Sequence, residues 1–500
     1  MVDLELNDVA HHGVIVARSA RHIRAHPGNL MTRIDAVDCN ASIAVIGAGP
    51  AGLSTAWFLS RHGFHNVTVL EKLGQIGGLC KSLTVDGMSY DLGANYVTWA
   101  YQETLKIAGE VGATTYAEKP YTSIDIAPDG SSFKYRSLME AVLYDPYTKS
   151  TISWWTFLWA AIRYLYVRWQ LRGIIDAPDY LDNIHEHREL CVDFKAWLAK
   201  QDLMPLATLF QFPITIMGYG QLDDIAAPYA LRYMSIRTFF PMVFGHGPVN
   251  WIIGTWPRRF TDGFQRLWER VSWRVNVRLN VNITSIERSA AGVRIEMEYP
   301  EQDLNEIKIV KDTKLYDYLV LACPLTKDVF TRLGLAPNVA EQKLNREIQI
   351  NPYCMTTFWI DMKMEAPVAP VLPLTEQGTP WAVARQFQDS GNMFTQFYTR
   401  PTDNQTTDQV IAEVKRLTRL LGGTIDTSQP RWHTFDEFTY FQHFTPEQIK
   451  TGIYADLARM QGGDRTFYVG GATDFELVEP IVVHSKYIVE KHFAGGVRAT

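Results

Sequence analysis

The chain contains 500 residues, of which 46% are hydrophobic and 12% aromatic, and its formal net charge is −6. This length predicts two interleaved domains around a large apolar core, and the mild negative charge without a basic stripe argues against a nucleic-acid partner. The five cysteines are odd in number and far apart in sequence, so we expect reduced thiols, no metal site and a cytoplasmic location.

Residues 1–40 precede the first predicted domain as an N-terminal extension. They include His11, His12, His22 and His26, but they lack the uninterrupted apolar core of a secretory signal. We expect a surface helix or tail in this segment, and no metal bound by its histidines.

The first predicted unit is a strand, a glycine turn and a helix. The apolar residues 44–46 are followed by Gly47, Gly49 and Gly52, which have G-x-G-x-x-G spacing. The first glycine allows a tight turn, the second lets backbone N–H groups approach a pyrophosphate, and the third lets the helix pack closely on the strand. The positive end of the helix dipole then faces the phosphates. The pattern predicts a dinucleotide-binding βαβ unit.

An acidic residue ends the next apolar run. Residues 67–70 are followed by Glu71, about 20 residues after the last glycine, where a carboxylate accepts hydrogen bonds from a ribose diol. A second glycine pair at 77–78 and a short strand ending in Asp91-Leu92-Gly93 come next. An NAD-binding Rossmann domain continues instead into another βαβ unit, so this order favours FAD.

The middle of the chain is rich in aromatic residues. Residues 152–162 form an apolar run that is too short to span a bilayer, and arginines follow it. Two interpretations stay open for this predicted helix. It is buried or lines a pocket, or it makes a peripheral membrane contact through the segment between Trp154 and Trp169.

Further strands are predicted downstream. The glycine-punctuated aromatic segment 210–225 leads into a predicted helix at 226–234. Residues 280–286 alternate as a strand, and 318–324 form a buried strand that ends in small residues. The runs 355–361 and 392–399 are expected in a mixed sheet.

Motifs at both ends of the chain carry a family resemblance. The segments V-I-G-A-G-P-A-G-L, V-L-E-K, G-G-x-x-x-S and D-L-G-A, with Gly470-Gly471-Ala472-Thr473 and Val478-Glu479-Pro480 near the C-terminus, resemble the flavin-dependent amine oxidase superfamily. The resemblance implies an α/β fold with a Rossmann-like, glutathione-reductase-type FAD domain and a second domain of mixed sheet plus helices. The implied FAD-binding domain is discontinuous, at 41–100, 254–328 and 430–500, and the substrate domain comprises 101–253 and 329–429.

The same resemblance implies which residues contact FAD. They lie in the glycine loops, at the strand ends and at the start of the last helix. The implied residues are Gly47, Gly49, Pro50, Ala51, Gly52, Glu71, Lys72, Gly78, Leu79, Leu92, Gly93, Ala94, Asn95, Ile283, Ala322, Gly470, Gly471, Val478 and Glu479.

A narrower resemblance runs patchily from about residue 42 to 495. The segments F-P-I-T-I-M-G-Y-G-Q-L-D-D-I, Y-F-Q-H-F and A-R-M-Q-G-G-D-R-T-F-Y are similar to the polyunsaturated fatty acid double-bond isomerases of the superfamily. The similarity implies that flavin N5 takes a hydride from a polyunsaturated fatty acid or similar apolar lipid and returns it at another carbon, giving conjugated double bonds. Aromatic faces stabilise a cation, so we expect Phe212 and Tyr219 to form a catalytic lining, with Phe239 and Phe240 behind them.

The carboxylate anchor and the reaction class stay open at this stage. The resembled isomerases use an arginine that the matching stretch 119–125 lacks. Either Lys119, Arg163, Arg168 or an unrelated residue substitutes for it, or the substrate is an uncharged lipid, a terpenoid or a polyketide. The alternative function is an amine-oxidase-like FAD oxidase or desaturase that releases hydrogen peroxide. A flavoprotein without activity and an NAD-dependent dehydrogenase are two further alternatives. We expect structural or surface roles for Lys327, His484 and Lys486.

Overall fold

Two sheets organise the part of the chain that the computed structural model describes. The described residues are 37–117, 122–127, 131–145, 150–244, 257–303, 306–361, 368–372, 378–384, 392–402, 404–428, 430 and 433–494. The expectations for the histidines of segment 1–40 and for Lys119 fall outside these ranges.

Strands are numbered in chain order. They are β1 Ile43–Ile46, β2 Val67–Leu70, β3 Ser82–Val85, β4 Met88–Asp91, β5 Thr115–Ala117, β6 Thr122–Ile126, β7 Phe133–Ser137, β8 Tyr144–Asp145, β9 Ser150–Thr151, β10 Arg258–Phe260, β11 Val277–Arg278, β12 Asn282–Ser289, β13 Gly292–Asp303, β14 Glu306–Tyr316, β15 Tyr318–Leu321, β16 Gln349–Asp361, β17 Val368–Leu372, β18 Pro380–Ala384, β19 Asn392–Thr399, β20 Thr424–Ile425, β21 Thr434–His443 and β22 Thr466–Tyr468.

Helices are numbered in the same way. They are α1 Pro50–Arg61, α2 Gln102–Glu110, α3 Leu138–Val142, α4 Trp154–Gln170, α5 Arg172–Ile175, α6 Phe194–Lys200, α7 Ala207–Ile216, α8 Ala227–Tyr233, α9 Ile236–Phe244, α10 Phe264–Ser272, α11 Lys327–Arg332, α12 Val339–Glu347, α13 Thr407–Leu420, α14 Pro446–Lys450, α15 Ile453–Met460 and α16 Val478–His492.

The first sheet is parallel, in the order β11-β2-β1-β15-β22. The side chains of β1 and β2 are buried throughout, as expected for a parallel sheet covered on both faces. Helix α1 follows β1 directly and packs against α10 and α16. This βαβ arrangement confirms the Rossmann-like fold expected from the glycine motif, and it directs the carboxyl ends of β1, β2 and β15 to one edge of the sheet.

The second sheet is mixed. Its order is β20-β16-β19-β18-β17-β6-β7, and β21 pairs with β16 on the same sheet. Strand β21 therefore belongs to the second sheet, although the sequence prediction placed residues 430–500 in the FAD-binding segments. Strands β12, β13 and β14 form a separate three-stranded antiparallel sheet in that order. The predicted strands at 355–361 and 392–399 lie in β16 and β19.

Residues 154–162 of the predicted apolar run lie in α4, which continues to Gln170. The Ser153 side chain caps its N-terminus by accepting a hydrogen bond from the Thr156 N–H. One face of α4, which includes Phe157 and Tyr164, is buried against the helices around α9. No helix within the described ranges combines the length and hydrophobicity needed to cross a membrane.

Candidate active site

A cavity of about 930 Å³ begins at the carboxyl edge of the first sheet and reaches the second sheet. Residues after β1, β2 and β15 line one part of it, and residues of α7, α9, β16 and β21 line the other. We call these the nucleotide end and the substrate end. Open α/β sheets bind ligands at this edge, so the fold itself places the cavity where a dinucleotide is expected.

The glycines at the nucleotide end are required for two different reasons. Gly47 has φ +108°, and a Cβ there would lie 2.8 Å from the Ala322 carbonyl oxygen, so the turn itself needs glycine. Gly49 has φ −82°, and its Cβ would come no closer than 3.7 Å to Gly78. The protein alone therefore leaves room for a Cβ at Gly49, and the absence of a side chain there lets a ligand approach the backbone closely.

Helix α1 begins immediately after this turn. Gly49 is its N-cap and Pro50 its first residue, and no side chain among the described residues caps this end. The unpaired N–H groups and the positive end of the helix dipole form an anion site. This geometry fits the pyrophosphate of FAD.

Glu71 lies at the end of β2 and lines the cavity. Its Oε2 accepts a hydrogen bond from the Ala48 N–H at 2.7 Å, and its Oε1 accepts one from the Leu73 N–H at 2.9 Å. These bonds hold the carboxylate in place, and because an ionised carboxylate accepts about four hydrogen bonds, capacity remains for a ribose diol. The adenosine half of FAD fits here.

Three close backbone segments form the part of the cavity that fits the flavin half of FAD. Gly78 has φ +52° and Gly470 has φ +125°, and a Cβ on Gly93 would lie 1.8 Å from the Leu79 carbonyl oxygen. Helix α16 begins at Val478, which lines the cavity, so its positive dipole end lies at the cavity wall.

Seventeen of the nineteen residues implied to contact FAD line the cavity. Gly52 is one exception, because it packs α1 on β1: a Cβ there would lie 1.9 Å from the Gly47 carbonyl oxygen. Glu479 is the other, because it does not line the cavity. Its carboxylate accepts hydrogen bonds from the N–H of Glu103 and from the N–H and hydroxyl of Thr104, so it caps α2 and holds that helix against α16.

Aromatic side chains dominate the substrate end. Phe212 and Tyr219 line it as predicted, and Tyr353, Tyr398 and Tyr440 join them from the second sheet. The Tyr219 ring lies 5.5 Å from Tyr440, and the Tyr353 ring lies 5.6 Å from Tyr440. These tyrosines escaped the sequence analysis, since three separate strands bring them together.

Hydrogen bonds fix the orientation of these rings. The Tyr219 hydroxyl donates to the Glu476 carbonyl oxygen at 2.9 Å, and the Tyr353 hydroxyl donates to the Ile216 carbonyl oxygen. Asn95 donates to the Tyr398 hydroxyl at 3.1 Å. Burial raises the pKa of Tyr219 and Tyr353 well above the usual value, so the phenols stay neutral.

The two residues predicted to lie behind the aromatic lining, Phe239 and Phe240, differ in burial. Phe239 is buried, with its ring 4.3 Å from that of Tyr164, whereas Phe240 is 37% exposed on the outer side of α9. Phe240 therefore does not support the lining, because adjacent residues of a helix point about 100° apart.

Glu476 is a cavity residue that sequence reasoning missed. Its Oε2 accepts a hydrogen bond from the Gln442 N–H at 2.8 Å, and a Cβ on Gly471 would lie 2.8 Å from its Cδ. Burial raises the pKa of Glu476 to about 7. The signal available in the sequence was an acid between the small-residue turn at 470–473 and the start of α16.

The arginines considered as carboxylate anchors are engaged elsewhere. Arg163 donates to the Gln201 carbonyl oxygen at 2.6 Å on the surface. Arg168 is fully buried and donates to the Leu231 carbonyl oxygen and to Asp176. Neither lines the cavity. Among its described lining residues the cations are Lys72 and Arg332, which lie on the segments after β2 and β15 at the nucleotide end.

The remaining polar residues singled out from the sequence have structural positions. His484 is buried beside the Thr473 hydroxyl, and burial lowers its pKa to about 3. Lys486 forms an ion pair with Glu103 at 3.2 Å. The five cysteines are free thiols, and no cluster of metal-ligating side chains occurs among the residues described here.

A family model for flavin-containing amine oxidoreductases matches residues 50–476. Putrescine oxidase of Kocuria rosea is 37% identical over 98 residues, which are 19% of this chain and 20% of that protein. Polyenoic fatty acid isomerase of Ptilota filicina is 37% identical over 75 residues, 14% of this chain and 15% of that protein. The chain thus aligns with no more than a fifth of the length of these two relatives.

Solved structures share the fold over nearly the whole chain. A conjugated-linoleic-acid (CLA)-producing fatty acid isomerase from P. acnes superposes with a TM-score of 0.74 at 22% identity, covering 91% of this chain and 100% of that one. A putrescine oxidase bound to putrescine superposes with a TM-score of 0.60 at 15% identity, covering 90% and 98%.

Proposed function

The chain belongs to the flavin-containing amine oxidoreductase family, an enzyme family whose cofactor here is FAD, and we propose that it is an isomerase of an unsaturated apolar lipid. The proposed reaction moves double bonds of a polyunsaturated fatty acid or similar lipid into conjugation, without net oxidation. Bound flavin supplies the acceptor that takes a hydride from the substrate and gives it back.

The observation that carries this proposal is the aromatic, cation-free substrate end of the cavity. Phe212, Tyr219 and Tyr440 present ring faces there, and the described residues that line this end include no lysine or arginine. An apolar chain gains from such burial at about 25 cal/mol per Å², and each ring stabilises a carbocation by about 0.5–2 kcal/mol when water is excluded.

The cavity residues have two further roles, which are to hold FAD and to orient the substrate. The backbone at Gly49 and Gly78 would hold the phosphates of FAD, Glu71 would orient the ribose, and the N-terminus of α16 would stabilise negative charge at the flavin. The tyrosines, fixed by their hydrogen bonds, orient the substrate and keep water away from it.

The test uses the purified holoprotein with linoleic acid under argon. The flavin absorbance and the ultraviolet absorbance of a conjugated diene are recorded together. We expect the diene band to rise without lasting flavin bleaching. Methyl linoleate serves as a matched substrate that lacks the carboxylate: equal rates with the acid and the ester are expected from a cavity without a cationic anchor. No diene from either substrate would refute isomerisation of this lipid class.

An FAD oxidase is the second candidate, and one observation favours it. Two carboxyl side chains, Glu437 and Glu476, line the substrate end of the cavity, and an ammonium group would pair with an ionised carboxylate there. In the same anaerobic experiment, with putrescine in place of the lipid, flavin bleaching that air reverses with formation of hydrogen peroxide would identify an oxidase.

Three broader assignments complete the proposal. The FAD-binding domain comprises 41–100, 254–328 and 430–500, apart from β21. The seventeen cavity residues named above bind FAD, with Phe212 and Tyr219 as the catalytic lining. The protein acts in the cytoplasm without nucleic acid, which agrees with the free state of its five thiols and its net charge of −6.

A further inference from the structure

Helix α4 exposes a continuous row of large apolar side chains. Trp155 is 77% exposed, Trp159 72%, Ile162 47%, Tyr166 59% and Trp169 51%. Their spacing of four, three, four and three residues places them on one side of the helix, opposite the buried Phe157 and Tyr164. We call these five residues the tryptophan face. So large an apolar surface is costly in water and marks a contact with a partner.

The composition of the face identifies the chemistry of that partner. Tryptophan and tyrosine have an apolar body with a polar tip, and they concentrate at the boundary between lipid headgroups and acyl chains. A helix that lies in this boundary pairs such a face with arginine or lysine.

The charge around the face agrees with an anionic surface. Residues 150–175 contain no aspartate or glutamate, and they include Arg163, Arg168 and Arg172. Arg163 is paired with Asp202 at 3.4 Å and Arg168 is buried with Asp176. Arg172 is exposed, stacks on the Trp169 ring at 4.1 Å and forms no ion pair within the described part of the chain. It adds an unneutralised positive charge to one end of the face.

We propose that the tryptophan face docks on an anionic lipid bilayer, with α4 lying parallel to the membrane plane. A second copy of the chain fits less well, because a two-fold interface made by this face would offer Arg172 no acidic partner, since residues 150–175 contain no aspartate or glutamate. The proposal rests on exposed residues and stands apart from the proposed reaction.

The position of α4 gives this contact a consequence for the cavity. The buried side of α4 packs on α9 through Tyr164 and Phe239, whose ring centroids are 4.3 Å apart. Thr238, Pro241 and Met242 of α9 line the substrate end. Helices α4 and α9 would then separate the docked bilayer from the cavity.

Vesicle sedimentation tests the docking without any substrate. The full-length holoprotein is mixed with vesicles of phosphatidylcholine alone or of equal parts phosphatidylcholine and phosphatidylglycerol. We expect binding to the anionic vesicles that weakens as salt rises. The double variant Trp155→Ser/Trp159→Ser should bind about tenfold more weakly, whereas Trp273→Ser, which removes a tryptophan 66% exposed after α10, should bind as the wild type does.

A variant that changes only the charge tests the same proposal even if the double tryptophan variant does not fold. Arg172→Gln should reduce binding to anionic vesicles about fivefold and leave binding to neutral vesicles unchanged. Wild-type protein that stays in the supernatant with anionic vesicles at low salt would overturn the proposal. So would a double variant that folds and binds like the wild type, or a wild-type dimer that the double substitution converts to a monomer without any lipid binding.

Discussion

Substitution of Gly49 tests whether the glycine is needed for FAD binding and not for the stability of the fold. In Gly49→Ala, the added Cβ would lie 3.7 Å from the nearest protein atom with φ at −82°. The backbone accepts it, and an alanine N-cap costs helix stability about 0.5–1 kcal/mol. We propose that the same Cβ intrudes on the space that the pyrophosphate of FAD occupies at the N-terminus of α1.

The expected loss of FAD affinity is much larger than this loss of stability. Displacing the pyrophosphate from two backbone N–H donors removes charge-assisted hydrogen bonds worth about 1.5–3 kcal/mol each. The dissociation constant of FAD should rise at least about 100-fold. Gly49→Trp, which fills the phosphate position, should abolish binding.

Gly52→Ala is the matched comparison. Its Cβ would lie 1.9 Å from the Gly47 carbonyl oxygen, so α1 must move away from β1 and the apoprotein itself should lose about 3 kcal/mol or more. The assays are thermal unfolding of the apoproteins and titration with FAD followed by flavin fluorescence. Wild-type flavin content in purified Gly49→Trp would refute the placement of the cofactor.

Three buried groups supply further tests. Burial raises the pKa of Glu476 from 4.5 to about 7, so the folded protein retains a proton that the unfolded chain has released. The stabilisation from Glu476 is complete below pH 4.5 and is lost as the pH rises to 7. In Glu476→Gln, the free energy of unfolding from urea titrations should fall by up to about 3 kcal/mol less over this pH range than in the wild type. An equal pH dependence of the two proteins would contradict this. Phe212→Leu should lower turnover about tenfold with flavin content unchanged, whereas Phe239→Leu, behind the cavity wall, should leave turnover per bound flavin unchanged. Arg232→Ala leaves Asp474 buried without its partner at 3.9 Å and should lower the free energy of unfolding by about 3–5 kcal/mol, which calorimetry would detect as a lower melting temperature.

The sequence alone determined the nucleotide end of the cavity. The positive φ at Gly47, the open approach at Gly49 and the carboxylate of Glu71 all belong to one βαβ unit. The backbone geometry of this unit requires particular residue types at these positions. Such local requirements fix residue types at a set spacing in the chain, so the motif predicted the parallel sheet and the cofactor. The family resemblance added seventeen residues that line the cavity.

Only the tertiary structure decided what meets at the substrate end and what faces solvent. Tyr353, Tyr398 and Tyr440 come from three strands, and nothing in the local sequence of any one strand specifies the other two. Glu479 lies in a family motif yet caps α2, because its carboxylate reaches helix N–H groups from a distant segment. The periodicity of α4 permits either face to be buried, and packing against α9 leaves Trp155 and Trp159 outside. Backbone conformation is a local property of the chain, whereas side-chain convergence and exposure depend on which elements pack together.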